Sequence, residues 1–319
     1  MIINVLQGYE LPSLFPVLGP LLDWLVKGVG SIGWGVVLFT VIIKTVLLPL
    51  DYWQRAGMKK NSLKMEKMRP QLEKLQKQYA NDQALYNQKL QALYKKEGYS
   101  MFGSCLPMIV TLVVFYVVFA AFRGYLQYHL VSGYNTLLAA YQSVGENAEE
   151  WAKVASQYQD QIAPSFLWIK NVWVADVPWK KALMTVTEFQ TQSGIRVDTA
   201  LEYDPIMAPF AATLNKANGW LILPLLSAGT SLLLQVISNK ANKAQMDLQA
   251  GNAAATNKMM MWMMPAMMAV FSISWTAIFA IYLVTSSLYS ILTTLIINKI
   301  VDVRFKKQEE EEALKNARR

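Results

Sequence analysis

Long apolar runs alternate with strongly polar segments along this chain. The first run is "SIGWGVVLFTVIIKTVLLPL", 31–50, and the second is "SCLPMIVTLVVFYVVFAAF" within 104–123. The third is "WLILPLLSAGTSLLLQVIS", 220–238, and the last extends from Met259 to about residue 298. A hydrocarbon core about 30 Å thick is crossed by about 20 apolar residues in a helix, so each of the first three reads as one membrane span. The last run is too long for a single crossing, even a tilted one. The turn-like "SISWT", 272–276, divides it into a fourth span, 259–274, and a fifth, 275–298. The pattern predicts an all-α membrane protein built on a five-helix transmembrane bundle.

The polar segments have patterns of their own. In the lead-in, 1–30, three prolines precede "LLDWLVKGVG", where Leu21, Leu22, Leu25, Val26 and Val29 share one helical face. That suits a helix lying at the membrane surface. No basic n-region with a small-residue cleavage site precedes it, so a cleaved signal peptide is not expected. Segment 51–103 predicts a helical hairpin: Met65, Met68, Leu72, Leu75 and Tyr79 step by three and four, as do Tyr86, Leu90 and Leu93. "AND", 80–82, supplies the turn, with Asn81 or Asp82 as N-cap. In the long connection 124–219, Trp151, Val154, Tyr158 and Ile162 form an amphipathic stripe, and Phe166, Trp168, Trp173 and Trp179 follow closely. Aromatic rings with nearby lysines suit anchoring in the headgroup layer.

Charge orients the bundle. Segment 51–100 carries eleven Lys and Arg against five acids, whereas 124–219 carries six against nine. The loop 239–258 and the tail 299–319 are basic again. Short basic loops stay on the cytosolic side, which puts the hairpin, the 239–258 loop and the C-terminus in the cytosol and the N-terminus and long loop outside. Composition also excludes chemistry. Cys105 and His129 are single, leaving no internal disulfide and no Cys/His set for zinc. No GxxxxGK[ST] loop is present, so no nucleotide engine, cofactor or metal is expected, and no catalytic set stands out.

Lys44 is the anomaly. It lies about six residues before the cytosolic end of its span, some 9 Å deep at 1.5 Å per residue. A lysine stem spans much of that distance by snorkelling. The other spans offer a second explanation: Thr230, Ser231 and Gln235 on the third, with Ser286, Ser290 and other hydroxyls on the fifth, suffice to line a wet, hydrophilic groove in the inner half of the bilayer. A cavity with one cation and many hydroxyls fits a polypeptide-receiving groove, a small-solute channel or transporter, or a serine–lysine hydrolase. The last requires a serine beside the lysine, and none lies within two helical turns of Lys44 on its own span.

Several phrases in order resemble the YidC/Oxa/Alb membrane protein insertases: "VLGPLLDWLVKGVGSIGWG", "VIIKTVLLPL", "MRPQLEKLQKQY", "LYKKEG", "GSCLPM", "PSFLWIK", "ILPLLSAGTSLLLQ" and "MMMWMMPAMM", across most of 14–305. The resemblance implies a hydrophilic groove open to cytosol and lipid, with one positive residue from the first span. Lys44 takes that position, Gln235 matches a groove-lining position of the third span, and Tyr282 matches a tyrosine of the last. It implies an insertase and folding chaperone that passes polar segments of nascent membrane proteins through the groove, without enzymatic chemistry. A Sec-type translocase, the ribosome and membrane lipids are the further partners to test, and DNA is not one. Lys59, Lys60, Lys64, Lys67 and Arg69 make the candidate cytosolic docking surface. The chain departs from the family in having lysine for arginine, "TLV" at 111–113, "TAI" at 276–278 and a longer outer loop.

Overall fold

The computed structural model describes residues 9–99, 101–198, 202–241 and 252–317. Among these the regular structure is helical, with only two isolated bridges, Phe166 to Ile169 and Lys181 to Ala217. The chain is an all-α membrane protein. Its principal helices are α1 (Leu18–Val29), α2 (Ile32–Val46), α3 (Leu48–Gln78), α4 (Gln83–Lys96) and α5 (Met101–Ser143). The connecting region holds α6 (Ala148–Val154), α7 (Gln159–Ile162), α8 (Val186–Ser193), α9 (Asp204–Met207) and α10 (Ala211–Leu214). Then come α11 (Ile222–Ala241), α12 (Asn252–Ser274) and α13 (Ala277–Ala317). Most of the 239–258 loop falls in 242–251, outside the described residues.

Helices α5, α11 and α13 are each long and apolar enough to cross a membrane. Helices α2 and α3 make a fourth crossing if the pair, bent by 53°, is one span. The predicted fourth span contains a shorter apolar stretch, Pro265–Ser274. Two boundaries differ from the sequence expectation. The first span, read as continuous to residue 50, breaks at Leu47: Pro49 has no N–H for the Thr45 carbonyl four residues back, and it sits instead in the first turn of α3, where none is needed. The second, read as ending at 123, continues as helix to Ser143. The extension is less apolar but stays helical because Tyr125, Leu130, Val131, Tyr134 and Leu137 are buried against other protein.

Two compact units organise the chain. The first comprises Met1–Ile42, Phe115–Ala228 and Met267–Thr285. Within it the long connection is a packed cap. Phe166 and Trp173, expected at the headgroup layer, are core residues, while Trp179 is 63% exposed. The stripe from Trp151 to Ile162 is α6, a 3-10 turn and α7 in succession, not one helix. Trp151 is fully buried and donates from its indole to the Ile206 carbonyl at 2.9 Å. Close approach requires glycine at Gly33, where an added Cβ would lie 2.0 Å from the Phe166 ring.

Segment 171–176 ties the cap to the starts of two apolar helices. Asn218 Nδ2 donates to the carbonyls of Asn171, Val174 and Ala175, and its oxygen accepts from the Asn171 amide. Buried Asp176 accepts from the Trp220 and Leu223 amides at 2.8 and 2.6 Å, satisfying donors at the start of α11. The amides of Ala277 and Ile278, at the start of α13, donate to the carbonyls of Val174 and Val172. A helix entering hydrocarbon has no water at its first turn, so the cap supplies those partners.

The second unit comprises Ile43–Val114, Gly229–Ala266 and Ser286–Arg319. It includes the hairpin of α3 and α4, closed around Met65, Met68, Leu72 and Leu93, with Leu75, Leu90, Tyr94 and Tyr99 packed against them. Asp82 caps α4 by accepting from the Leu85 amide at 2.9 Å. The Lys64 ammonium bonds the Gly98 carbonyl and fastens the hairpin's end.

Candidate functional site

Lys44 lies in the last turn of α2, just before the bend, and its side chain is half-buried. Its ammonium donates to Ser290 Oγ at 3.1 Å. The next residue, Thr45, shares a 2.9 Å hydroxyl contact with Tyr289. Along α3, Arg55 donates to Thr294 Oγ1 at 2.6 Å, and Lys59 pairs with Asp302 at 2.6 Å. Contacts that advance from 44 to 59 on one side advance from 290 to 302 on the other, so the two segments run parallel in the second unit. Ser290, Thr294 and, one turn earlier, Ser286 repeat at four-residue spacing and share a face of α13.

The hydroxyls on this face are held in place by their own helix. Thr293 and Thr294 both bond the Ser290 carbonyl. That back-bonding absorbs their donors, leaving the Thr294 oxygen lone pairs as acceptors for Arg55. On α11, Thr230, Ser231 and Gln235 are half-buried, and Gln235 Nε2 donates to Asn239 Oδ1 at 3.3 Å. Arg55, Lys59, Ser238, Asn298 and Asp302 line a polar cavity of about 170 Å³, at which α3, α11 and α13 meet.

Of the predicted groove residues, Lys44 and Ser290 are brought into direct contact, and Gln235, Thr230, Ser231 and Ser286 belong to the same unit. Tyr282 belongs to the other unit, 6% exposed between Phe122 and Phe279, with ring centroids 5.4 and 5.8 Å away. Ser227, earlier on α11, is buried in a 2.7 Å hydroxyl contact with Ser272. Among the candidate docking cations, Lys60 and Lys67 are exposed. Lys59 is paired with Asp302, Lys64 with the Gly98 carbonyl, and Arg69 with Glu73 at 3.1 Å.

Sequence reasoning missed Arg55. It stands eleven residues after Lys44, about three helical turns on, but beyond the apolar run, and so reads as one more solvated charge. The structure makes it half-buried, with Nε out of water and in no hydrogen bond. Its spacing from Lys44 was the available signal. The bend at Leu47 keeps that spacing from being read as one uninterrupted face.

The contact of Lys44 with Ser290 supplies the pair a serine–lysine hydrolase would use. Ser290, however, lies deep within α13, where backbone N–H groups are committed to the helix. An oxyanion needs donors aimed at it, and a helix interior offers none from its backbone. The arrangement suits a fixed positive charge beside hydroxyl acceptors better than acyl transfer.

A family model described as 60Kd inner membrane protein matches residues 24–306. The chain belongs to that family. Among its relatives are proteins named "Membrane protein insertase YidC". That of Leptospira interrogans serovar Lai is 25% identical over 236 residues, 74% of this chain and 26% of the relative. That of Fusobacterium nucleatum is 37% identical over 98 residues, 31% of this chain and 46% of the relative. That of Caldanaerobacter subterraneus is 36% identical over 108 residues, 34% of this chain and 50% of the relative. The matched stretch therefore spans between about a quarter and a half of these relatives' lengths. In a chain of this family the apolar helices α5, α11 and α13 are candidate membrane spans, and Lys44 and Arg55 both bond hydroxyls of α13.

Proposed function

We propose that this protein is a membrane protein insertase of a bacterial plasma membrane, acting on nascent membrane proteins through a groove in the second unit. The observation that carries the reading is Lys44, half-buried at the end of an apolar helix with its ammonium on Ser290. An ammonium kept on hydroxyl acceptors in a span remains available to a passing carboxylate. A polar segment that crosses along Lys44, Ser290, Thr294 and Arg55 meets hydrogen-bonding groups instead of hydrocarbon, which removes part of its desolvation cost. Partition of the substrate's own apolar helix into lipid supplies the driving force. No bond is made or broken, so no catalytic residue or cofactor is required. The N-terminus and cap lie outside, and the hairpin and C-terminal tail lie in the cytosol, where exposed Lys60 and Lys67 are placed to meet a ribosome or a Sec-type translocase.

The test places photo-crosslinkers at Gln235 and Ser286 while ribosomes translate a single-spanning protein with an acidic outer segment. Insertion is measured in parallel with Lys44→Arg and Lys44→Ala. Crosslinks to the nascent chain, with arginine tolerated and alanine impaired, are the expected result. Absence of crosslinks with normal insertion by Lys44→Ala would overturn the groove. Solute flux through the purified chain in sealed vesicles would favour a channel instead.

A further inference from the structure

We infer that the first unit holds a binding site for one monoanionic phospholipid, seated where its apolar helices meet the cap. A cavity of about 540 Å³ opens there, within the roughly 300–1,000 Å³ usual for small ligands. Its floor is aromatic. Phe119 on α5 stacks on Trp275 with centroids 4.2 Å apart, and Phe279 completes the floor 4.8 Å from Trp275 and 5.7 Å from Phe119. Its rim is polar, made by Arg123, Lys180, Glu188 and the exposed turns of α8.

The charges on the rim select the ligand. Lys180 and Glu188 lie 3.1 Å apart and neutralise one another. Arg123 is exposed and has no acidic partner among the described residues. One guanidinium therefore remains for one anionic group, and its planar fork of donors matches a phosphodiester. Gln192 lines the same cavity, with its amide oxygen out of water and in no hydrogen bond, and Thr187 and Thr191 stand beside it. These neutral groups suit the hydroxyls of a glycerol headgroup. An acyl chain continues from the phosphate across Phe119, Trp275 and Phe279, as aromatic residues at the bilayer interface favour. A helix about 10 Å across does not enter a space of this size, which separates this occupant from a polypeptide substrate. The inference stands independently of the insertase reading.

The experiment uses the full chain, reconstituted in equal parts of phosphatidylglycerol and phosphatidylcholine, extracted in detergent and weighed intact by native mass spectrometry. One retained phosphatidylglycerol is expected, with phosphatidylcholine lost on washing. Arg123→Gln removes one charge-assisted contact, so retention falls about tenfold. Thr191→Trp fills the mouth from an exposed position on α8 and excludes the lipid while Arg123 is intact. Both residues are exposed, and unchanged melting of the lipid-free variants confirms their fold. Equal retention of the two lipids, or unaltered phosphatidylglycerol retention in both variants, overturns the site. So does a photo-crosslinker at Gln192 that captures a nascent chain and no photoactivatable phosphatidylglycerol.

Discussion

Asp176 is the residue through which the cap holds the third apolar helix, and removing it should unfasten both. The carboxylate is fully buried and accepts from three donors: the Trp220 amide at 2.8 Å, the Leu223 amide at 2.6 Å and the Trp168 indole at 3.2 Å. Hydrogen bonds to a charged group contribute about 1.5–3 kcal/mol each, and a buried donor left without a partner costs about 1–3 kcal/mol. The three bonds share one acceptor and do not add independently. Asp176→Ala should therefore destabilise the first unit by about 3–5 kcal/mol, a fall in Tm of about 10 °C. Asp176→Asn keeps the shape and one acceptor but turns an NH2 toward a backbone N–H, so its loss should be intermediate. Thermal unfolding of the detergent-solubilised chain, followed by tryptophan fluorescence, measures both. Gly219→Ala reaches the same lesion by another route, because its Cβ would lie 1.8 Å from Asp176 Oδ1. If Asp176→Ala melts within about 1 °C of the wild type and Gly219→Ala is equally silent, the cap does not fasten α11 through this carboxylate.

Three further outcomes follow from other contacts. Gly33→Ala drives a methyl into the Phe166 ring and should cost about 1–3 kcal/mol by overpacking; Phe166→Leu in the same chain should recover part of that loss in the same melting assay. Leu93→Ala opens the α3–α4 hairpin core at about 2–4 kcal/mol, and limited proteolysis should then cut between 79 and 97 with the apolar helices left whole. Glu188 supplies a pH dependence. Burial acts to raise its carboxyl, but the Thr185 amide and Lys180 ammonium outweigh that and hold it below its usual value of 4.5. A lowered folded value means that its contribution is complete above the unfolded value and is lost as pH falls through the folded one. The Tm gap between wild type and Glu188→Gln should hold at pH 7 and close as pH falls through the lowered folded value; a constant gap would show that the capping box that Thr185 and Glu188 form at the start of α8 does not depend on the charge.

Much of the membrane architecture was legible because hydrophobic burial depends on composition within a window of residues. The apolar runs at 104–123 and 220–238 contain helices that meet the length of a bilayer without reference to any other part of the chain. The hairpin was legible for a similar reason. Met65, Met68, Leu72 and Leu93 are spaced by helical periodicity, and the turn between them is short. Lys44 stood out because a charge in an apolar run is a local contradiction.

What the sequence could not assign was which polar groups meet, since each such bond joins residues far apart. Asp176 and Leu223 are 47 positions apart, Lys44 and Ser290 are 246 apart, and Arg55 and Thr294 are 239 apart. The aromatic residues of the cap misled for the same reason. Phe166 and Trp173 have the composition of interfacial anchors, and only the folding of the loop onto Gly33 and α5 makes them core. Local composition fixes which segments leave water. The requirement that buried donors and acceptors find partners is settled across the whole fold, and that requirement placed Asp176 at the start of α11.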